Sequence, residues 1–583
     1  MQKDVSTALK NLFSRREQLV VIGLTGRTGS GCTTVAELLA NDFTSLNAPT
    51  PINANPSPEQ RKYRIVHEYT KKHWEPFFSI SISNVIQSFI LDIDEGDFKR
   101  LISATNAIKD DELKTLTADW CAAKNDWQTA KISIYSPSET IENKAKALGI
   151  WRTQLGAFFR HIKTGLSLGA TDFLQTIGDN LRKSGGVLNN QHEPSKFYTH
   201  LERVVKLIET IELVNKADNR KTLIALDALR NPFEILYFKD RFASFYSIAI
   251  TTSDEERKSR LTQLGYNIEQ IKKLDDKEYP KKSKPLSGYD NFTSQNIQNC
   301  LEKADIYINN QGAAHPGQEK DHKSLIEQLV RYVCLMIHPG LVTPTRSERC
   351  MQIAFSAKAN SGCISRQVGA AITDEHGSIK AIGWNDVPAG QVPCLLRNAT
   401  DLLSRADDDA FSDYEYSDAE FRQQIEKNFK WFSLEHSQGR MPAFCFRSEY
   451  NEKEGTQNQV HTRALHAEEN AFLQLSKYGG EGIYLGKLFT TASPCELCAK
   501  KAFQLGIREI VYIDPYPGIS MKHVLRSGSR ESRPEVILFQ GAIGSAYHRL
   551  YDPILPLKDE LSAIMGHEEI IELPPSKPSD QLF

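Results

Sequence analysis

The chain has 583 residues, too many for one hydrophobic core, and its 40% hydrophobic and 25% charged residues balance as in a globular protein. With 71 Lys+Arg against 73 Asp+Glu the formal net charge is -2, so the basic surplus expected of a protein living on polynucleotide backbones is missing. The opening MQKDVSTALKNLFSRREQ has no apolar signal core and no later stretch reads as a membrane span, so a cytoplasmic chain is expected, in which 10 reduced cysteines point to metal rather than disulfides.

In chain order, residues 17–26 form an apolar run ending in a glycine-rich turn, and a helical pattern covers 33–40. The turn, Gly26-Arg27-Thr28-Gly29-Ser30-Gly31-Cys32-Thr33, fits G-x-x-x-x-G-K-[ST] except that Cys32 replaces lysine. Backbone N–H groups of such a loop cradle phosphates and Thr33 could hold Mg²⁺. Loss of the lysine weakens phosphoryl transfer more than docking.

The Asn/Pro-rich stretch 47–58 is a loop, 78–183 reads as largely helical, and 184–195 is a polar loop. Thr222–Asp227 and Phe245–Thr251 are short apolar strands, 280–288 is an exposed Lys/Pro tract, and a helix is expected over 321–337. The Pro/Gly signals of HPGLVTPT at 338–345 mark a domain boundary. Beyond it come a helix (347–359), two strands (367–373 and Ile379–Trp384) and a long polar insertion whose acidic run 407–420 reads as solvated. Then follow a helix (467–477), a strand (487–491), a helix (495–505) and the strand Glu509–Asp514, with a loose proline-rich tail at 573–583. This pattern predicts an α/β chain of three segments: 1–337, a layered αβα domain at 338–556, and a C-terminal tail at 557–583.

The most specific signal is His466-Ala467-Glu468 followed by Pro494-Cys495-Glu496-Leu497-Cys498. One imidazole and two thiolates suit Zn²⁺, and three protein ligands with a fourth position open are how catalytic zinc is built. Cys495 and Cys498 open a helix, where backbone N–H groups favour thiolate. Glu468 is placed to take a proton from the attacking water and pass it to the base and the departing amine. A structural zinc would ask for a fourth protein ligand and would need neither the Glu nor the Pro. The pattern is the signature of zinc deaminases of nucleobases, with Glu outside the ligand set.

On these residues the segment from Ser347 to about Asp514 resembles a deoxycytidylate (dCMP) deaminase. The matching pieces are Ile353-Ala354, Ser365-Arg366-Gln367-Val368-Gly369-Ala370, Gly383-Trp384-Asn385 with Pro388-Ala389-Gly390, and the HAEENAF, SPCELCAK and LGIREIVY segments. The resemblance implies a cytidine-deaminase-like fold and a sugar contact from Asn385; the alternative is a turn residue with its amide satisfied locally. Trp384 and Asp386 depart from the family's GYNG-like motif. Cys363 and Cys394 resemble ligands of a structural zinc in phage-type members, with His461 and Cys445 available to complete it; the other reading is small buried thiols.

The first segment resembles, more loosely, a P-loop NTPase of the small nucleotide-kinase type, the deoxynucleoside-monophosphate or dephospho-CoA kinases. The resemblance sets Asp227, in Asp227-Ala228-Leu229-Arg230-Asn231-Pro232, near a metal, makes Arg257 and Arg260 lid arginines, and matches 304–312 to a late strand and turn. A degenerate kinase-like domain joined to a dCMP-deaminase-like domain resembles the bacterial anti-phage dCTP deaminases. That implies deamination of dCTP and also dCMP, a second nucleotide at the P-loop, control by an inhibitory small RNA, and a homo-oligomer. The rival readings are an RNA- or DNA-editing deaminase, a nucleotide-sensing binding module, and a bifunctional kinase–deaminase.

Overall fold

The computed structural model describes residues 12–13, 18–104, 108, 110–166, 169–278, 290–311, 322–430, 432, 437–479, 482–514 and 520–565. The Lys/Pro tract at 280–288 and the tail at 573–583 lie outside the described residues. The chain divides into two compact units, Met1–Thr343 with Ser545–Phe583, and Pro344–Gly544.

In the first unit, five parallel strands run in the order β5-β4-β1-β3-β2. They are β1 Leu19–Thr25, β2 Phe78–Ser81, β3 Thr222–Asp227, β4 Phe245–Thr251 and β5 Ile306–Asn309. Val21 is the junction, opposite Ile224 on β3 and Phe245 on β4. The central strands read as unbroken apolar runs because both faces are covered: every residue of β4 and all but the first of β1 are buried. The chain passes from β1 to strands on one side and later to strands on the other, so the turn after β1 lies at the switch point where such sheets open a crevice.

The stretch expected to be largely helical is so, except that it opens on β2, which pairs Phe78 with Ile224 at the sheet's edge. Four residues are too few to show a period. Helices follow, and Trp120, Trp127, Trp151, Phe158 and Phe159 bury into one core with β3. The C-terminal boundaries also differ from the expected 338–556 domain and loose tail. Helices Gly544–Tyr551 and Leu557–Met565 pack with the first unit. There His338 Nε2 meets Glu560 Oε1 at 2.8 Å, the Gly340 N–H donates to the Leu550 carbonyl at 2.9 Å, and Arg549 Nη1 donates to the Phe245 carbonyl at 2.9 Å. A buried hydrogen-bond partner 222 residues away has no local signal.

The second unit carries a sheet in the order β10-β9-β8-β6-β7. These are β6 Gly369–Thr373, β7 Ile379–Trp384, β8 Lys487–Ala492, β9 Glu509–Asp514 and β10 Glu535–Leu538. β8, β9 and β10 are parallel, and β6 is antiparallel to both β7 and β8. The helix Ala467–Tyr478 lies so close to β7 that a Cβ on Gly383 would fall 2.2 Å from the Ala467 carbonyl oxygen. Only glycine allows that approach, which seats the start of the helix at the end of the strand.

In the insertion most of the acidic run stays at the surface, with Asp408, Asp409, Asp413 and Glu420 exposed and only Glu415 buried, yet the segment is folded. Its acidic run forms the helix Asp413–Ser417 and the start of Ala419–Phe429, with Ser412 and Asp418 as N-caps. Leu402, Phe411, Phe421, Ile425 and Phe444 give it a core of its own. Inside, the fully buried Arg397 pairs with the buried Glu415 and lies 4.7 Å and 5.1 Å from the ring centres of Phe411 and Phe444.

Candidate active site

Two helix N-termini build the site of the second unit. His466 is the N-cap of Ala467–Tyr478, Cys495 is the N-cap of Glu496–Gln504, and Cys498 sits in the first turn of the latter. Both caps are extended, which turns their side chains off the helix ends. The Ser493 N–H donates to the Asp514 carbonyl at 2.8 Å and Ser520 Oγ to the Pro494 carbonyl at 2.7 Å, tying the turn between β8 and Cys495. Arg366 pairs with the fully buried carboxylate of Asp514.

His466 Nδ1 lies 3.3 Å from Cys495 Sγ and 3.5 Å from Cys498 Sγ. Zinc bonds of about 2.3 Å to sulfur and 2.0–2.1 Å to nitrogen, at tetrahedral angles, require about 3.5 Å between those atoms. The donor set therefore fits zinc. The neighbouring Cys498 thiol and His466 ring hold the Cys495 thiol down to about 3 against its burial, while the Cys495 sulfur and burial drive the Cys498 thiol up. Cys495 in turn raises His466. A divalent cation lets both sulfurs be thiolates. Among the described residues, no other cluster of three His, Cys, Asp or Glu ligand atoms converges in this way.

Glu468 is 4% exposed, and burial raises its carboxyl above the usual range. Thr490 Oγ1 stands 3.3 Å from Glu468 Oε1, while it donates more closely to the Ala492 carbonyl at 2.8 Å. A carboxyl raised toward neutrality is suited to taking and giving a proton.

The other expected site residues fall differently. Both ends of the Asn385 amide are held by a distant segment: Nδ2 donates to the Arg366 carbonyl at 2.7 Å and Oδ1 accepts from the Val368 N–H at 2.6 Å, 19 and 17 residues earlier in the chain rather than within its own turn. Cys363 and Cys445 lie near Cys394, whose thiol burial and these neighbours push up to about 11. These three sulfurs and the His461 ring, which lies tilted over Tyr450 with centroids 4.4 Å apart, do not converge as closely as the first cluster does.

In the first unit, the turn Gly26–Thr33 leads from β1 into the helix Cys32–Leu39. Gly31 has φ 107°, and a Cβ there would fall 2.1 Å from Asn310 Nδ2, which donates to the Ser30 carbonyl at 2.8 Å. Thr33 Oγ1 donates to Asp227 Oδ2 at 2.9 Å. Cys32 is buried, and burial with the Asp227 carboxylate pushes its thiol up to about 12. Arg257 and Arg260, expected in a lid, hold the turn itself: Arg257 Nη1 donates to the Thr28 carbonyl at 3.3 Å and Arg260 Nη1 to the Ser30 carbonyl at 3.2 Å. Glu278 and Lys163 were not found from sequence. Glu278 accepts from the Thr28 N–H at 2.9 Å, and Lys163, bonded to Ser83 and Asn84, faces Asp227. Neither belongs to a motif.

Residues 344–514 match the model of the cytidine and deoxycytidylate deaminase zinc-binding region. A domain of the dCMP/cytidine deaminase family is therefore present in this chain. Two phage proteins named deoxycytidylate deaminase are similar to it. Those of Enterobacteria phages T2 and T4 are each 27% identical over 173 residues, 29% of this chain and 81% and 79% of theirs. Solved structures of the dCMP deaminase of cyanophage S-TIM5, in apo form and with dCMP and dUMP, are 22% and 23% identical. They cover 34% of this chain and 100% and 99% of theirs, with TM-scores of 0.20 and 0.21.

Proposed function

We propose that the second unit performs zinc-dependent hydrolytic deamination of free deoxycytidine nucleotides, converting dCTP and dCMP to dUTP and dUMP with release of ammonia. The observation that carries this reading is the meeting of His466, Cys495 and Cys498 at zinc-ligand separations in a family domain that also holds Glu468.

Bound zinc would supply Lewis acidity that makes hydroxide available near neutral pH. Glu468 accepts a proton from the attacking water and delivers it to the cytosine ring nitrogen beside C4; it then takes the proton of the new C4 hydroxyl and gives it to the amino group, which leaves as ammonia as the C4 carbonyl forms. Burial raises this carboxyl above its ordinary range, which suits a group that both takes and gives a proton.

A net charge of -2 supports a free nucleotide over a polynucleotide. The turn Gly26–Thr33 is proposed to bind a second nucleotide, with Mg²⁺ between Thr33 and Asp227, for regulation rather than phosphoryl transfer. Buried Cys32 in the lysine position speaks against kinase chemistry. An antiviral role by dCTP depletion is supported by the resemblance of the two-part chain to bacterial anti-phage dCTP deaminases.

The test is to incubate pure protein with dCMP, dCTP, CMP and CTP, and with cytosine-containing oligonucleotides at 50 and 200 mM salt, and to separate the products. Uracil deoxynucleotides formed with little salt dependence are expected. Product from oligonucleotides alone would overturn the reading. For the antiviral part, expression in phage-infected bacteria is expected to lower cellular dCTP and phage yield, and Glu468→Ala to restore both.

A further inference from the structure

With Cys32 in the lysine position, a nucleotide docked on the turn Gly26–Thr33 needs another cation near its outer phosphates. Arg230, from the segment after β3, reaches the turn directly: Nη1 donates to Thr28 Oγ1 at 3.1 Å and to Glu278 Oε1 at 2.9 Å. Its charge is also felt by Cys32 and by Asp227, lowering both against their burial.

Glu278 is the last residue of the helix Ile268–Glu278, and its side chain is 0% exposed. Its Oε1 gathers the Thr28 N–H at 2.9 Å, the Thr28 hydroxyl and Arg230, while the buried Oε2 has no hydrogen-bond partner among the described residues. A buried carboxylate with one oxygen crowded by donors and the other bare is costly unless it holds charges that would otherwise stand unpaired. It sits as an internal anion on a backbone N–H and an arginine, the donors that a phosphate oxygen takes.

Resting on the nucleotide-binding reading of this turn, we infer that Arg230 supplies the phosphate-facing charge that Cys32 lacks, and that Glu278 occupies Arg230 and the Thr28 N–H until a phosphate displaces it. The other cations around the turn are committed elsewhere. Arg257 and Arg260 bond its carbonyls, Arg27 pairs with Asp254 and Asp275, and Lys163 bonds Ser83 and Asn84.

The experiment is calorimetric titration of the full chain with ATP, AMP and tripolyphosphate, each with magnesium at fixed ionic strength. Arg230→Met is expected to weaken ATP and tripolyphosphate about tenfold to a hundredfold, the scale of a lost charge-assisted hydrogen bond, and AMP less. Arg230→Lys should recover part of the loss, and Glu278→Gln should tighten both polyphosphates. The double variant Arg230→Met/Glu278→Gln leaves neither partner buried and unpaired, so it keeps the test open if the single variant misfolds; it too should bind weakly. Wild-type affinity in a folded Arg230→Met chain, or a loss produced by Lys163→Met in its place, would overturn the inference while leaving the nucleotide site standing. No binding of any probe by wild type and Glu278→Gln would remove the nucleotide reading itself and the inference with it.

Discussion

His466 Nδ1 and Cys495 Sγ lie 3.3 Å apart although 29 residues separate them, each at the mouth of its own helix. The closeness comes from β7 and β8, which set the two helix starts side by side, and from Gly383, which lets the first helix lie directly on its strand. Placement at helix N-termini is what favours negative sulfur here.

Zinc content should report this relationship. Cys495→Ser removes one of three ligands and is expected to lose about one equivalent of zinc per chain relative to wild type after dialysis against a weak chelator. Elemental analysis by mass spectrometry reads it, and an unchanged zinc content would contradict the ligand set.

Glu468 stands outside that set, so metal and turnover should separate. Glu468→Ala is expected to keep its zinc and to lose ammonia release by about 10²–10⁴-fold, the usual weight of a positioned proton carrier. Retained turnover would exclude the role assigned to it.

Acid should weaken the first unit through Glu234. This fully buried carboxylate is bonded by Arg182 at 2.8 Å and His200 at 2.9 Å; burial works against its charge, but these partners win and hold it down to about 2 from 4.5. A carboxyl depressed by folding stabilises the fold above its unfolded pKa, because the unfolded chain takes up protons first as the pH falls. About 3 kcal/mol is thus fully present above pH 4.5 and is lost progressively as the pH approaches about 2. Melting curves between pH 6 and pH 2 should show the decline. Glu234→Gln should lower the melting temperature at neutral pH, since breaking a buried pair costs about 3–5 kcal/mol, and flatten the acid dependence.

The insertion offers an independent check. Arg397→Met leaves Glu415 buried without its counter-charge and should cost about 3–5 kcal/mol locally. Faster amide exchange and proteolysis between residues 397 and 446 are expected. Unchanged protection there would show that the pair does not hold this core together.

Much of the site was legible because its chemistry is local. Metal ligands and a proton carrier need particular residue types, and helix N-termini place them at short fixed spacings, so His466, Glu468, Cys495 and Cys498 stand out without a structure. The strands Thr222–Asp227, Phe245–Thr251, Ile379–Trp384 and Glu509–Asp514 were legible for a similar reason, since a buried strand writes a continuous or alternating apolar run. Four-residue β2 wrote too little to be seen.

By itself, then, the amino-acid order determined which chemistry the second unit can host and where most strands lie, because both depend on neighbours within a few residues. Tertiary structure alone decided what closes around Asn385, how Arg230 and Glu278 meet over the turn at Gly26–Thr33, which acid of the insertion is buried against Arg397, and that the C-terminal helices return to the first unit. Each of those rests on pairing between groups distant in the chain, where burial fixes the partner and composition carries no trace of it.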